Sequence, residues 1–237
     1  MKKQRLDKFI SNQTLLSRSI VRSGILKGKA TVNDVVVRNA GEIIDADSDQ
    51  ITYDGNLVGY KEFIYILMNK PRGVLSAAND KSRQTVVDLV PENIRRQGLF
   101  PVGRLDKDTT GLLLITDDGV FAHNCISPKK AISKSYIVKL DGYITDDMIN
   151  LFKAGVILAD GTKCKSAILE KIGTNVARII ITEGKYHQIK RMFGTVGLGV
   201  NELHRESIGG LVLPDGLNPG ECIEMTKEQL ECSILNK

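Results

Sequence analysis

No uninterrupted apolar run in the 237-residue chain approaches the roughly 18 residues a membrane helix needs. The opening Met1-Lys2-Lys3-Gln4-Arg5 runs into charge where a secretory signal would turn apolar, so a cytoplasmic protein is expected. The four cysteines, Cys125, Cys164, Cys222 and Cys232, include no CxxC pair and are too few for a disulfide framework, which points to free thiols. The three histidines are scattered, and no cluster of Cys, His or acidic residues has metal-ligand spacing, so no metal site is expected. Internal repeats and low-complexity tracts are missing as well. What remains, 42% apolar and 26% charged residues, excludes a disordered or collagen-like chain and fits one large domain or two modest ones.

Charge is unevenly spread. Residues 1–40 hold nine Lys or Arg against two acids, whereas residues 41–60 hold five acids and no base. The rest is nearly balanced, and the net charge is +5. A short basic segment ahead of a balanced body suggests a docking module for a polyanion joined to a larger unit.

In the basic segment, Leu6, Phe9 and Ile10 recur at helical spacing, and Ser17 is placed to cap a second helix through Ile20 and Val21 that stops near Gly24. Arg5, Lys8, Arg18, Arg22, Lys27 and Lys29 crowd these helices and the loop after them. Residues 30–32 and 35–37 flank an Asn33-Asp34 turn signal and predict a hairpin, and residues 51–53 predict a strand ending at Asp54-Gly55. Residues 57–62 read as a linker. Beyond it, strands are predicted over 63–68, 112–116, 136–140, 165–169 and 176–182, and helices over 145–153 and 187–193. This is an α+β pattern around a largely antiparallel sheet, lacking the regular alternation of a doubly wound fold.

The segments RLDKFI, SRS, LKGKATVND and DQITYDG resemble the αL RNA-binding module of a small-subunit ribosomal protein, over about the first 57 residues. The resemblance implies that the helix pair and following loop bind structured RNA. The division it suggests is 1–57 for the module, 58–62 for the linker and 63–237 for a catalytic domain.

The densest polar signal is the glycine-bounded loop Gly103-Arg104-Leu105-Asp106-Lys107-Asp108-Thr109-Thr110-Gly111, set between apolar runs. On residue types alone each member has a structural reading: Asp106 as a turn cap, Arg104 as a surface partner. The stretch GRLDKDTTGLLLITDDG, however, resembles the signature of the pseudouridine synthases. MNKPRGVLS at 68–76, KSYIV at 134–138, EGKYHQIKRMF at 183–193 and VNELHRESIGGLVL at 200–213 fit the same family in the expected order, the last being closer to its small-subunit branch. The resemblance implies a cofactor-free isomerisation of a uridine in small-subunit ribosomal RNA, free or in an assembling particle, by a monomer. Asp106 would be the nucleophile and Tyr136 the tyrosine against the base. Lys190 would stand where many relatives carry an arginine paired with the aspartate. Arg104 would fill the position the flipped uridine leaves. Lys185, His187 and Arg191, preceding or opening a helix, would contact RNA backbone. His123 and His204 read as structural or RNA-contacting.

A large-subunit target within the same family is the nearest alternative. A magnesium-dependent aspartyl phosphatase built on Asp106 and Asp108 is a second, opposed by the proline, glycine and charge before Asp106. A non-catalytic rRNA-binding assembly factor is a third, supported by the αL module alone.

Overall fold

The computed structural model describes residues 2–235. They form two compact units: the chain through Ile64 together with Pro91–Leu99, and Tyr65–Val90 together with the chain from Phe100 onward.

The first unit contains β1 Lys3–Arg5, α1 Leu6–Gln13, α2 Arg18–Leu26, β2 Ala30–Val32, β3 Val35–Val37, β4 Ile43–Asp45, β5 Ile51–Tyr53 and β6 Asn56–Leu57. The Ser17 side chain accepts a hydrogen bond from the Ile20 amide and starts α2 as its residue type suggests. Asn33 and Asp34 both adopt left-handed angles, φ 50° and 66°, which lets a tight turn join β2 to β3 with the right twist. The four-stranded sheet runs β3-β2-β5-β6, and β1 pairs with β4. Leu6, Phe9, Ile10, Val21, Ile25, Ile44 and Ile51 form the core between helices and strands. Gly24 does not stop α2, which continues to Leu26. A Cβ there would lie 2.0 Å from the Tyr53 hydroxyl, so this glycine serves close approach and not termination.

The stretch 58–62, read as a linker, is packed into this unit. Val58 donates its amide to Ile51, and Val58 and Tyr60 lie against the core. Gln13 and Lys61 exchange side-chain and backbone hydrogen bonds, each at 3.1 Å. The returning segment closes the arrangement: buried Arg96 donates to the Gln13 side chain at 2.8 Å and to the carbonyls of Lys61 at 2.6 Å and Glu62 at 2.9 Å.

The second unit contains β7 Tyr65–Lys70, β8 Phe100–Pro101, β9 Thr110–Thr116, α3 Gly119–Ile126, β10 Lys134–Leu140, α4 Asp146–Ala154, β11 Ile168–Lys171, β12 Val176–Ile181, α5 Gln188–Thr195, β13 Val200–Ile208, β14 Leu211–Val212, β15 Cys222–Met225 and α6 Lys227–Leu235. Seven strands follow the order β11-β12-β10-β13-β9-β7-β15, with β14 on β13 and β8 on β9. Among the described residues the pairs are antiparallel except β9 with β13, where Thr110 and Gly111 face His204 and Arg205. The expected α+β class is therefore the observed one. Leu67, Leu112, Leu114, Phe121, Leu230 and Ile234 join β7, β9, α3 and α6 in one apolar cluster. Phe152 of α4 and Phe193 of α5 pack with ring centroids 4.9 Å apart.

Two strand predictions shift. Residues 165–169 give way to Ile168–Lys171, because the amides of Lys165 and Ala167 bond to the Glu183 side chain and the Phe152 carbonyl instead of a neighbouring strand. Residues 63–68 give way to Tyr65–Lys70, whose six residues are all buried.

Candidate active site

Asp106 sits in the loop leading into β9, and that loop is clamped from below by the 70–76 stretch. Lys70 is fully buried and donates to three carbonyls: Pro71 at 3.1 Å, Lys107 at 3.2 Å and Thr109 at 2.9 Å. Ser76 donates to the Leu105 carbonyl at 2.9 Å and accepts from the Leu105 amide at 3.1 Å. The Gly73 amide adds a bond to Lys107. Burial holds the Lys70 ammonium down at about 8, with the negative charges of Asp108 and Asp106 opposing the shift. Gly111 ends the loop with φ +101° where β9 meets β13, and a Cβ there would come 2.2 Å from the Arg205 carbonyl oxygen. Only glycine permits that approach, which carries the loop onto the parallel pair.

The loop opens on a cleft of about 90 Å³ that gathers Arg104, Asp106, Tyr136, Lys185, His187 and Lys190 from β9's entry loop, β10 and the start of α5. The Asp106 side chain is 29% exposed; the His187 Nε2 lies 3.4 Å from one carboxylate oxygen and the Lys190 Nζ 3.7 Å from the other. Lys190 binds Asp108 more tightly, at 2.6 and 2.7 Å, and this contact holds the Asp108 carboxyl below its ordinary range. Its ammonium thus fills the gap between the two carboxylates, where a shared divalent ion would have to sit. Among the described residues no group of three or more His, Cys, Asp or Glu side chains converges on a point. The phosphatase alternative would need both carboxylates for its magnesium, and Lys190 already pairs with Asp108.

Tyr136 is buried on β10 with its ring lining the cleft. Beneath it lies Arg205 of β13, a buried residue that the sequence did not single out. Arg205 donates through Nε to the Leu112 carbonyl at 2.8 Å and through Nη1 to the Tyr136 hydroxyl at 3.5 Å, with its guanidinium 5.9 Å from the ring centre. Its buried Nη2 has no partner among the described residues. Lys70, Ser76 and Arg205 escaped notice because their roles depend on which distant segments pair; the nearest signal was their presence in the quoted motifs.

The cations expected to touch RNA are placed unequally. Lys185 is bound to Glu183 at 2.7 Å and Arg191 to Asp160 at 2.5 Å, whereas His187 faces Asp106. His204 hydrogen-bonds Thr110 at 2.9 Å, and burial lowers its pKa; His123 is exposed on α3. In the first unit, Arg5 and Arg18 donate to the fully buried Asp7 carboxylate at 3.0 Å each, and Arg22 stands 3.8 Å from it. Their side chains remain about half exposed. Lys29 pairs with Asp54 at 2.9 Å, and Lys8 and Lys27 are exposed.

Residues 64–195 match the model of a family described as RNA pseudouridylate synthase, and residues 4–51 match that of the S4 domain. Over 98% of both chains, this one is 44% identical to an uncharacterized RNA pseudouridine synthase of Bacillus subtilis. It is 41% identical to ribosomal small subunit pseudouridine synthase A of Escherichia coli K12, over 95% of this chain and 98% of that one. Among solved structures, one described as pseudouridylate synthase superposes with a TM-score of 0.67 at 33% identity, covering 96% of this chain and 98% of that one.

Proposed function

The chain belongs to the RNA pseudouridylate synthase family, and from that premise we propose that it isomerises one uridine of small-subunit ribosomal RNA with Asp106 as the nucleophile. The carrying observation is a partly exposed carboxylate on a rigidly clamped loop, flanked by a lysine and a histidine and opposite a buried tyrosine in one cleft. The small-subunit target draws on the name of the Escherichia coli relative, and the RNA substrate on the first unit's match to the S4 domain, an RNA-binding module.

The reaction balances without a redox partner. The N1–C1′ bond breaks, the base turns, a C5–C1′ bond forms, and the proton leaving C5 is matched by one gained at N1. Asp106 can attack the sugar carbon or the base and leave again, as a carboxylate is suited to do. Lys190 and His187 bring positive charge or a donor within 3.7 and 3.4 Å of its two oxygens. Tyr136 is the residue to stand against the base, its hydroxyl suited to proton transfer. Arg104, exposed at the cleft mouth, presents a planar cation that can stack in the position the flipped uridine vacates. Lys8, Lys27 and the outer faces of Arg5, Arg18 and Arg22 supply phosphate contacts from the first unit, with Lys29, Lys185 and Arg191 contributing once their acids are exchanged for phosphate. The substrate is free rRNA or an assembling particle, met in the cytoplasm by a monomer.

The test is Asp106→Asn. Pseudouridine at one small-subunit position should be missing from cells carrying only the variant and present with wild type. Purified variant should bind the RNA and melt as wild type does. Turnover well above background in Asp106→Asn would overturn the assignment.

A further inference from the structure

Tyr186 is not needed by the reaction just described, yet its ring is 70% exposed beside the catalytic carboxylate. It is also held in place. The ring stacks on His187 with centroids 3.9 Å apart and planes 18° from parallel. His187 adopts a left-handed conformation, φ 47°, just before α5, and its edge faces Asp106. Arg191, anchored on Asp160, donates to the Tyr186 carbonyl at 3.5 Å. The Tyr186–His187 pair forms one wall of a cavity of about 640 Å³, distinct from the small cleft containing Tyr136. The two spaces meet at Arg104, Leu105, Asp106 and His187.

We propose that this cavity is a second nucleobase subsite, in which Tyr186 stacks on a base adjacent in sequence to the target uridine. The inference rests on the reading that Asp106 acts on a uridine within RNA. A strand that delivers its uridine to Asp106 must carry the neighbouring nucleotides past the shared edge of the two spaces. One face of the tyrosine is already covered by a ring, so an incoming base extends a preformed stack with little ordering of the side chain. The rim favours an anionic strand over an apolar peptide: Arg104 and Lys107 are exposed, and Arg83 joins them with Asp80 as its counter-ion. Stacking on a phenol ring tolerates every base, so the subsite fixes strand direction and position more than sequence.

The experiment uses the full chain and a small-subunit rRNA stem-loop that carries 2-aminopurine, or an abasic nucleotide, on either side of the target uridine. Bound to wild type or to Asp106→Asn, 2-aminopurine on one of the two sides should be quenched, and with Tyr186→Ala it should not. Tyr186→Ala should lower kcat/KM about 10- to 100-fold, and Tyr186→Phe should stay within about twofold of wild type. An abasic nucleotide on the quenched side should cost wild type a similar factor and the Ala variant nothing further. Equal quenching with and without the ring, additive losses from Ala and abasic changes, or a Phe variant as impaired as Ala would each overturn the subsite. Quenching without any conversion by wild type would support the subsite while striking the proposed reaction. Since Tyr186 is exposed, an unchanged melting temperature in Tyr186→Ala separates these outcomes from unfolding.

Discussion

Lys190 is bound to Asp108 and only approaches Asp106, at 2.6 Å against 3.7 Å. The family resemblance implied a pair between Lys190 and Asp106; the structure adds Asp108 as the ammonium's nearer partner. The consequence is chemical: Asp106 feels the positive charge without surrendering an oxygen to a close hydrogen bond with the lysine, which leaves its lone pairs free for the role proposed for it.

Asp108→Asn should therefore let Lys190 close on Asp106 and blunt it in the nucleophilic role proposed for it. The expected result is a fall in kcat of about tenfold, equivalent to about 1.4 kcal/mol of barrier, with KM and melting temperature little changed. Single-turnover kinetics on a saturating stem-loop would measure it. Full activity in this variant would mean that Asp108 does not restrain the lysine.

Asp7 gives a pH prediction. Its carboxyl is held well below the ordinary range, chiefly by the hydrogen bonds from Arg5 and with Arg18 adding to them, against the opposing effect of burial. A depressed folded-state value contributes stability above the unfolded carboxyl's pKa of about 3.9 and loses it as pH falls toward the folded value. Asp7→Asn should lower the melting temperature by about 4–8 °C at pH 7, and the gap to wild type should begin to narrow as pH falls below about 4. Thermal melts across pH 3–7 would check both halves.

Lys70 predicts the opposite limb. Its folded value of about 8 lies below that of an unfolded lysine, so the buried charge costs stability below pH 8 and is relieved as pH rises. Relative to Lys70→Met, wild type should gain on the order of 1 kcal/mol per pH unit between about pH 8 and 10. Denaturant unfolding of both proteins at pH 7.5, 9 and 10 would reveal it; parallel pH dependences would contradict it.

Docking is best tested by charge and not by truncation. A chain beginning near Tyr60 would lack Gln13, a partner of Arg96, and Leu15, whose carbonyl accepts from Gln97, and should unfold or aggregate for that reason alone. Replacing Lys8 and Lys27 by Gln should instead leave the fold intact and reduce the log-log salt slope of RNA binding by about 0.7–0.9 per lost phosphate contact. Turnover at saturating RNA should survive. An unchanged slope would remove these two lysines from the interface.

The sequence revealed local structure where one residue type decides the outcome: Ser17 starting a helix, Asn33-Asp34 turning a hairpin. It failed where backbone bonds leave the ladder, as at Lys165 and Ala167, and where a polar strand is held by its neighbours. Val200–Ile208 carries Asn, Glu, His, Arg and Ser and has no alternating signal, yet it pairs along most of β10. Asp106, Tyr136, Lys190 and His187 were legible as motif members, and the structure brings all four to one cleft. The buried supports, Lys70 and Arg205, were not, because each is explained only by carbonyls and rings contributed from far along the chain.

The return of Pro91–Leu99 to the first unit means that this RNA-binding module is encoded in two pieces, with 26 residues of the other unit between them. A recombination event or a laboratory graft that exchanges only the N-terminal stretch would import a module with a missing edge and strand a foreign Arg96 against it. Viable chimaeras between relatives should therefore need paired crossovers, one near residue 64 and a second pair bracketing 91–99.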